Sequence, residues 1–119
     1  MLTTEEKTQA VVAALEDVKA NDITVLDTSK YSSMFERMVI ASAQSTRQTK
    51  ALADNVVDKM RERGEMVLGM EGADPGEWIL VDLGEVVVHI MQPAVRAYYN
   101  LEELWSMQHL PRHAAHGAR

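Results

Sequence analysis

The chain has no cysteine, so it forms no disulfide, has no thiolate nucleophile and offers no thiolate to a metal. That absence suits a reducing compartment. No apolar run approaches the roughly 18 residues that a membrane-spanning helix needs. Residues 1–6 are acidic where a signal or transit peptide is basic, so no targeting segment is read and the cytoplasm is the expected location. Positive charge is scarce too. The formal net charge is -6, and no Lys or Arg occurs between Arg63 and Arg96. Naked nucleic acid is a poor ligand for such a chain, because phosphate contacts need clustered cations. Nor is there a glycine pattern for a dinucleotide or a phosphate: Gly69, Gly72 and Gly76 surround a turn that does not lead into a helix.

What is present fits one domain. A chain of 119 residues with 46% hydrophobic content can bury a single core of useful size. The base-free stretch holds Glu65, Glu71, Asp74, Glu77, Asp82 and Glu85. These six account for the whole net charge, since the other 12 acids balance the 12 basic residues. An acidic surface of this kind would steer and complement a basic protein partner. The plainer reading is a solvated face that keeps the chain soluble, and charge alone favours it.

Periodicity supplies the elements. Thr3 and Glu6 have the spacing of a capping box and predict a helix start near Thr3 or Thr4. Val11, Ala14, Leu15 and Val18 give its apolar stripe, with Asn21 as the expected stop. Residues 23–26 and Arg37–Ser42 read as strands around a polar loop. Ser45 and Gln48 repeat the capping-box spacing for a second helix, which Gly64 should end. Its core stripe is Leu52, Ala53, Val56, Val57 and Met60. Residues 66–70 suggest a third strand and residues 72–76 a turn. Residues 78–83 and 85–91 are separated only by Gly84, which implies an antiparallel hairpin. Pro93 suits the first turn of a last short helix running through the two tyrosines. The expected fold is α/β (α+β): a mixed sheet of about five strands with helices packed on it, over residues 1–106. Residues 107–119 read as a loose tail.

Each chemical constellation has a plainer account beside it. Acid/base catalysis or metal binding needs carboxylates converging on one point. Asp74 and Glu77 lie in or beside a loop, and Asp82 and Glu85 flank a tight turn, so turn chemistry explains them. His89 sits in a strand with no nucleophile on a glycine-rich elbow, and reads as a packed or interface histidine rather than a base. His109, His113 and His116 have metal-binding spacing only in a helix, which Pro111 disfavours. No catalytic residue, metal site or cofactor is therefore expected. Trp78, Tyr98, Tyr99 and Trp105 are four of the six aromatics and fall near Met91 in the last third of the chain. They are either core or the kind of anchor favoured at interfaces.

Three segments carry a resemblance: Gly69-Met-Glu-Gly72, Trp78-Ile-Leu-Val-Asp-Leu-Gly-Glu-Val-Val-Val-His-Ile-Met91, and Arg96-Ala-Tyr-Tyr-Asn-Leu-Glu-Glu-Leu-Trp105. Together they resemble the C-terminal half of the ribosomal silencing factor family (the Iojap-type proteins). Ser45-Thr-Arg-Gln48 followed by Ala51-Leu-Ala-Asp54 is similar to that family's second-helix entry. The resemblance spans roughly residues 5 to 106. Glu36, Met38 and Ala43 depart from the family's usual residues.

It implies a fold related to nucleotidyltransferases without their catalytic Gly-Ser and paired aspartates, which this chain also lacks. It further implies binding to the large ribosomal subunit through its protein uL14, blocked joining with the small subunit, translation damped under nutrient limitation, and a homodimer when free. Carried onto this chain, the implied contact residues are Trp78, Asp82, His89, Met91 and Tyr98, with Glu71 and Glu77 as acidic neighbours. The competing reading is a nucleotidyltransferase-like enzyme without a recognisable catalytic motif.

Overall fold

The structure is a computed structural model and describes residues 1–107. Of the expected tail, residues 107–119, all but Met107 lie outside the described residues, His109, His113 and His116 among them.

Helix α1 (Thr4–Asp17) begins as its residues predict. The Thr3 hydroxyl accepts from the Glu6 N–H at 3.1 Å, and the Thr3 N–H donates to the Glu6 carboxylate at 2.9 Å. It ends before Asn21. Lys19 takes the left-handed conformation at φ 60°, and the Ala20 N–H donates to the Leu15 carbonyl at 3.0 Å, closing the last turn. Asn21 therefore opens strand β1 (Asn21–Asp27) instead of ending the helix. Strand β2 (Arg37–Ser42) matches its expected bounds.

Ser45 caps α2 (Thr46–Glu62) by accepting from the Gln48 N–H at 3.1 Å, but the second capping box is only half formed. The Gln48 amide donates instead to the Val18 and Lys19 carbonyls at 3.1 and 3.3 Å, tying the start of α2 to the end of α1. Strand β3 (Gly69–Glu71) is shorter than residues 66–70 suggested and displaced along the chain, because Met66 and Leu68 stay exposed. Strands β4 (Trp78–Asp82) and β5 (Val86–Met91) form the expected hairpin. The last helix is a pair: α3 (Pro93–Tyr99) and α4 (Leu101–Met107), broken where Asn100 turns left-handed at φ 50°.

The five strands lie in the order β1-β2-β5-β4-β3, with β2 and β5 parallel and the other neighbours antiparallel. The expected mixed sheet is thus the observed one. Its central parallel pair requires a long connection between β2 and β5, and α2, β3 and β4 supply it. Val39, Ala41, Ile79, Val81, Val86, Val88 and Ile90 point to one face and are closed off by Val11 and Leu15 of α1 and by Leu52, Val56 and Met60 of α2. Burying each large apolar side chain there contributes about 1.5–3 kcal/mol. On the opposite face Met38, Ile40 and Met91 form a smaller cluster, covered by Phe35, Val95, Leu101 and Trp105. The α3–α4 pair covers only part of that face.

One polar cluster pins the chain's start to the sheet. The Lys7 ammonium, almost enclosed, lies 2.8 Å from Glu85 and 3.2 Å from Glu65, and also donates to the Leu83 carbonyl at 3.2 Å. Glu65 in turn accepts from the Leu2 N–H at 2.7 Å. Burial works against the Lys7 charge, but the hydrogen bonds to Glu85 and Glu65 outweigh it and raise its pKa. The Leu2 N–H and then Lys7 hold Glu65 below the usual carboxylate range, and Lys7 does the same for Glu85.

Both folded-state carboxyl pKa values are depressed, so their stabilisation is present above about pH 4.5 and is lost as pH falls through the folded values. Lys7→Met should cost about 3 kcal/mol, because it leaves two carboxylates facing each other without a cation. It should also flatten the acid limb of the stability curve. Urea titration of both proteins at pH 7 and pH 4 checks this, and equal losses at the two pH values would contradict it.

Candidate binding face

Register decides what the open face carries. Trp78 pairs with Met91, Leu80 with His89 and Asp82 with Val87 across β4 and β5. Because side chains alternate, these residues share the face away from α1 and α2. Glu71 of β3 joins them through its pairing with Leu80. The sheet thus brings Trp78, Asp82, His89 and Glu71 together around Leu80. Met91 shares their side but is wholly buried under the α3–α4 pair, so it supports the face from beneath and cannot itself touch a partner. Glu77 is exposed at the start of β4, outside the grooves described next.

Two shallow grooves of about 260 Å³ each flank the Leu80–His89 ridge. Glu71, Gly72 and Trp78 line one of them. Met34, Phe35, Asp82, Gly84 and Val87 line the other. Gly72 is required where it stands. It has φ +86°, and a Cβ there would collide with the Trp78 carbonyl oxygen. That close approach sets the wall of the first groove.

A line of rings continues the ridge. The His89 and Trp78 ring centroids are 5.8 Å apart, Trp78 and Tyr99 are 4.7 Å apart, and Tyr99 and Tyr98 are 5.0 Å apart. Tyr98 stands at the outer end of this line and is 81% exposed. The Trp78 indole N–H donates to His89 Nδ1 at 2.9 Å. Burial lowers the His89 pKa to about 4, leaving the imidazole neutral at ordinary pH.

The acids divide. Glu65 and Glu85 belong to the Lys7 cluster, and Asp82 accepts from the Gly84 N–H at 2.9 Å while facing the second groove. Glu71, Asp74 and Glu77 remain exposed. Only part of the base-free stretch is therefore an acidic surface. Among the described residues, no group of three or more His, Asp or Glu side chains could hold a metal ion. No described helix is long and apolar enough to cross a membrane.

Comparison with known proteins decides the family. The model of the family described as "Ribosomal silencing factor during starvation" matches residues 2–117. The ribosomal silencing factor RsfS of Chromobacterium violaceum is 52% identical over 104 residues, covering 87% of this chain and 85% of that one. The chain belongs to the ribosomal silencing factor family. A crystal structure of a Chromobacterium violaceum protein superposes with TM-score 0.87 at 50% identity, covering 88% of each chain. One from Bacillus halodurans gives 0.79 at 35% identity, covering 86% of this chain and 95% of that one. The silencing-factor fold is thus shared across these chains.

Several residues of the face were not singled out from sequence. Leu80 sits midway between Trp78 and Asp82 at the same period of two, and that spacing could have found it. Met34 and Phe35 arrive from the β1–β2 loop, and no local pattern marks them. Arg96 is the most consequential omission. It donates to Glu102 at 2.8 Å through Nε and Nη2, to Ser42 at 2.8 Å and to Thr24 at 3.1 Å, fastening α3 and α4 to β1 and β2. The same bonds lower the Glu102 pKa, with Arg96 the leading cause. The signal was present: Arg96 is the first basic residue after the base-free stretch.

Arg96→Met should cost about 2 kcal/mol of stability and loosen the α3–α4 pair, leaving Glu102, Ser42 and Thr24 without their shared donor. Since Tyr99 then no longer closes over Trp78, tryptophan emission should shift to the red. A variant with wild-type emission and unfolding midpoint would show that the pair is held by its apolar contacts alone.

Proposed function

We propose that the protein is a ribosome silencing factor. It binds the large ribosomal subunit through protein uL14, sterically blocks joining with the small subunit and so represses translation under nutrient limitation. The observation that carries this reading is the continuous face from His89 through Trp78 to Tyr98, bordered by Glu71 and Asp82. That arrangement joins aromatic anchors to an acidic rim, the composition expected where a basic protein docks. Family membership supports a ribosomal target, since relatives are named as ribosomal silencing factors. Those names describe regulators rather than enzymes, and the face offers recognition chemistry rather than a nucleophile with a base. On this reading the protein works in the cytoplasm, needs no cofactor, and forms a homodimer when free of the subunit.

Steric occlusion predicts a simple experiment. Purified protein should cosediment with separated large subunits and reduce their joining with small ones, with no nucleotide added. Unchanged joining at saturating protein, or inhibition only with a nucleoside triphosphate, would overturn the proposal in favour of an enzymatic reading.

Two variants divide the face. Tyr98→Ala should weaken binding by about 2 kcal/mol, mostly through faster dissociation. Its stability should change by less than about 1 kcal/mol, given the exposure of the ring. Neutralising Glu71 and Glu77 together (Glu71→Gln with Glu77→Gln) should mainly slow association and flatten its salt dependence, because rim charges act by steering. Surface-binding kinetics at two salt concentrations, beside thermal unfolding, separate these outcomes. A Tyr98→Ala protein with a wild-type off-rate takes Tyr98 out of the interface.

A further inference from the structure

The hydrogen bond between Trp78 and His89 fixes more than a side-chain position. An indole N–H can only donate, so the His89 nitrogen that receives it must carry a lone pair. The opposite ring setting would place Cδ2 beside the indole and leave a half-buried N–H without an acceptor. Nδ1 is therefore unprotonated, and in the neutral ring the proton sits on Nε2. The ring lines both grooves. Its Nδ1 is taken by Trp78, and among the described residues no acceptor engages Nε2.

We infer that His89 presents a fixed Nε2–H donor to the docking partner, and that the partner meets it with an uncharged oxygen acceptor, a backbone carbonyl or a side-chain amide or hydroxyl oxygen. This rests on the proposed docking face and specifies the chemistry of its centre. A cation on the partner finds no lone pair at Nε2. A carboxylate there would be placed between Glu71 in one groove and Asp82 in the other, with no Lys or Arg from residue 64 to residue 95 to offset them. The walls of the ridge are apolar, formed by Leu80, Val87, Phe35 and Met34. Once a partner closes over them, an unmet N–H becomes costly, so a wrong partner is rejected at this point more strongly than a correct one is held.

Trp78 acts here as a positioning residue for the His89 tautomer, in addition to any contact of its own. The groups that face the imidazole include Glu71 and Asp82, and neither is bonded to it.

The test has two arms. In the free full-length protein, long-range proton–nitrogen NMR of the imidazole should show an unprotonated Nδ1 and a protonated Nε2 at pH 7. Trp78→Phe keeps a ring but removes the donor, and should return His89 to a mixture of tautomers. A predominantly Nδ1-protonated wild-type ring overturns the inference.

In the second arm, His89→Asn keeps an acceptor near the Nδ1 position but has no distal donor, whereas His89→Gln reaches the Nε2 position with an amide N–H. Binding is measured to purified large subunits and to isolated uL14. His89→Asn should fold normally and bind about tenfold more weakly, the penalty expected for an acceptor left unmet in the closed interface. His89→Gln should recover part of that loss. If wild type binds and His89→Asn matches it, this inference fails while the silencing function stands. If wild type binds neither target, the proposed function fails and the docking chemistry fails with it.

Discussion

The β4–β5 hairpin turns through residues 83–85, with the Leu83 N–H donating to the Val86 carbonyl at 3.0 Å, and the register set there governs most of the molecule. With this register Ile79, Val81, Val86, Val88 and Ile90 all face α1 and α2. A slip of one residue would send this whole set to solvent and bring Leu80, Asp82, Val87 and His89 under the helices. The apolar core therefore specifies the open face by exclusion. Gly84, at φ +91°, permits the tight reversal, and Asp82 supports it by accepting from the Gly84 N–H. The pairing of β5 with β2 carries the same alternation across the centre of the sheet, aligning Ile40 with His89 and Ser42 with Met91.

Electrostatics add a second layer of organisation. The chain's positive charge is used sparingly, and two cations hold together parts distant in sequence. Lys7 joins the first helix to the approach to β3 and to the hairpin turn. Arg96 joins the α3–α4 pair to the opposite side of the sheet. Each is flanked by groups that accept from it, so neither leaves an unpaired buried charge. With Glu65 and Glu85 engaged inside, the exposed acids of the base-free stretch are Glu71, Asp74 and Glu77, at and beside the β3–β4 turn near the first groove. A charge asymmetry confined to one stretch of the sequence thus becomes, in part, a local feature of the surface.

Much of this was legible from the residues. The hairpin, the first helix start and the mixed sheet followed from patterns whose physical cause is local: period-two apolar alternation, a capping pair and a tight glycine turn. Elements were misjudged where a distant partner intervened. Gln48 has the spacing of a capping box, yet its side chain is turned to the end of α1, where its amide N–H donates to the Val18 and Lys19 carbonyls. Residues 66–70 look like a strand, but only Gly69–Glu71 lie alongside enough of β4 to complete the ladder. For the face, Trp78, Asp82, His89 and Glu71 converge because they share one side of adjacent strands. Met91 shares that side too, and only the helix pair folded over it makes it inaccessible, which no local pattern reveals. Tyr98 joins the group indirectly, through Tyr99.

The two borders of the sheet have a consequence of their own. At one border β3 is three residues long, and at the other the ladder of β1 is interrupted by a bulge between Asn21 and Thr24, where Asp22 turns to φ 51°. A sheet margin grows by recruiting a foreign strand along a long, regular row of free backbone donors and acceptors. Neither margin here offers such a row, so the sheet is a poor seed for fibre growth.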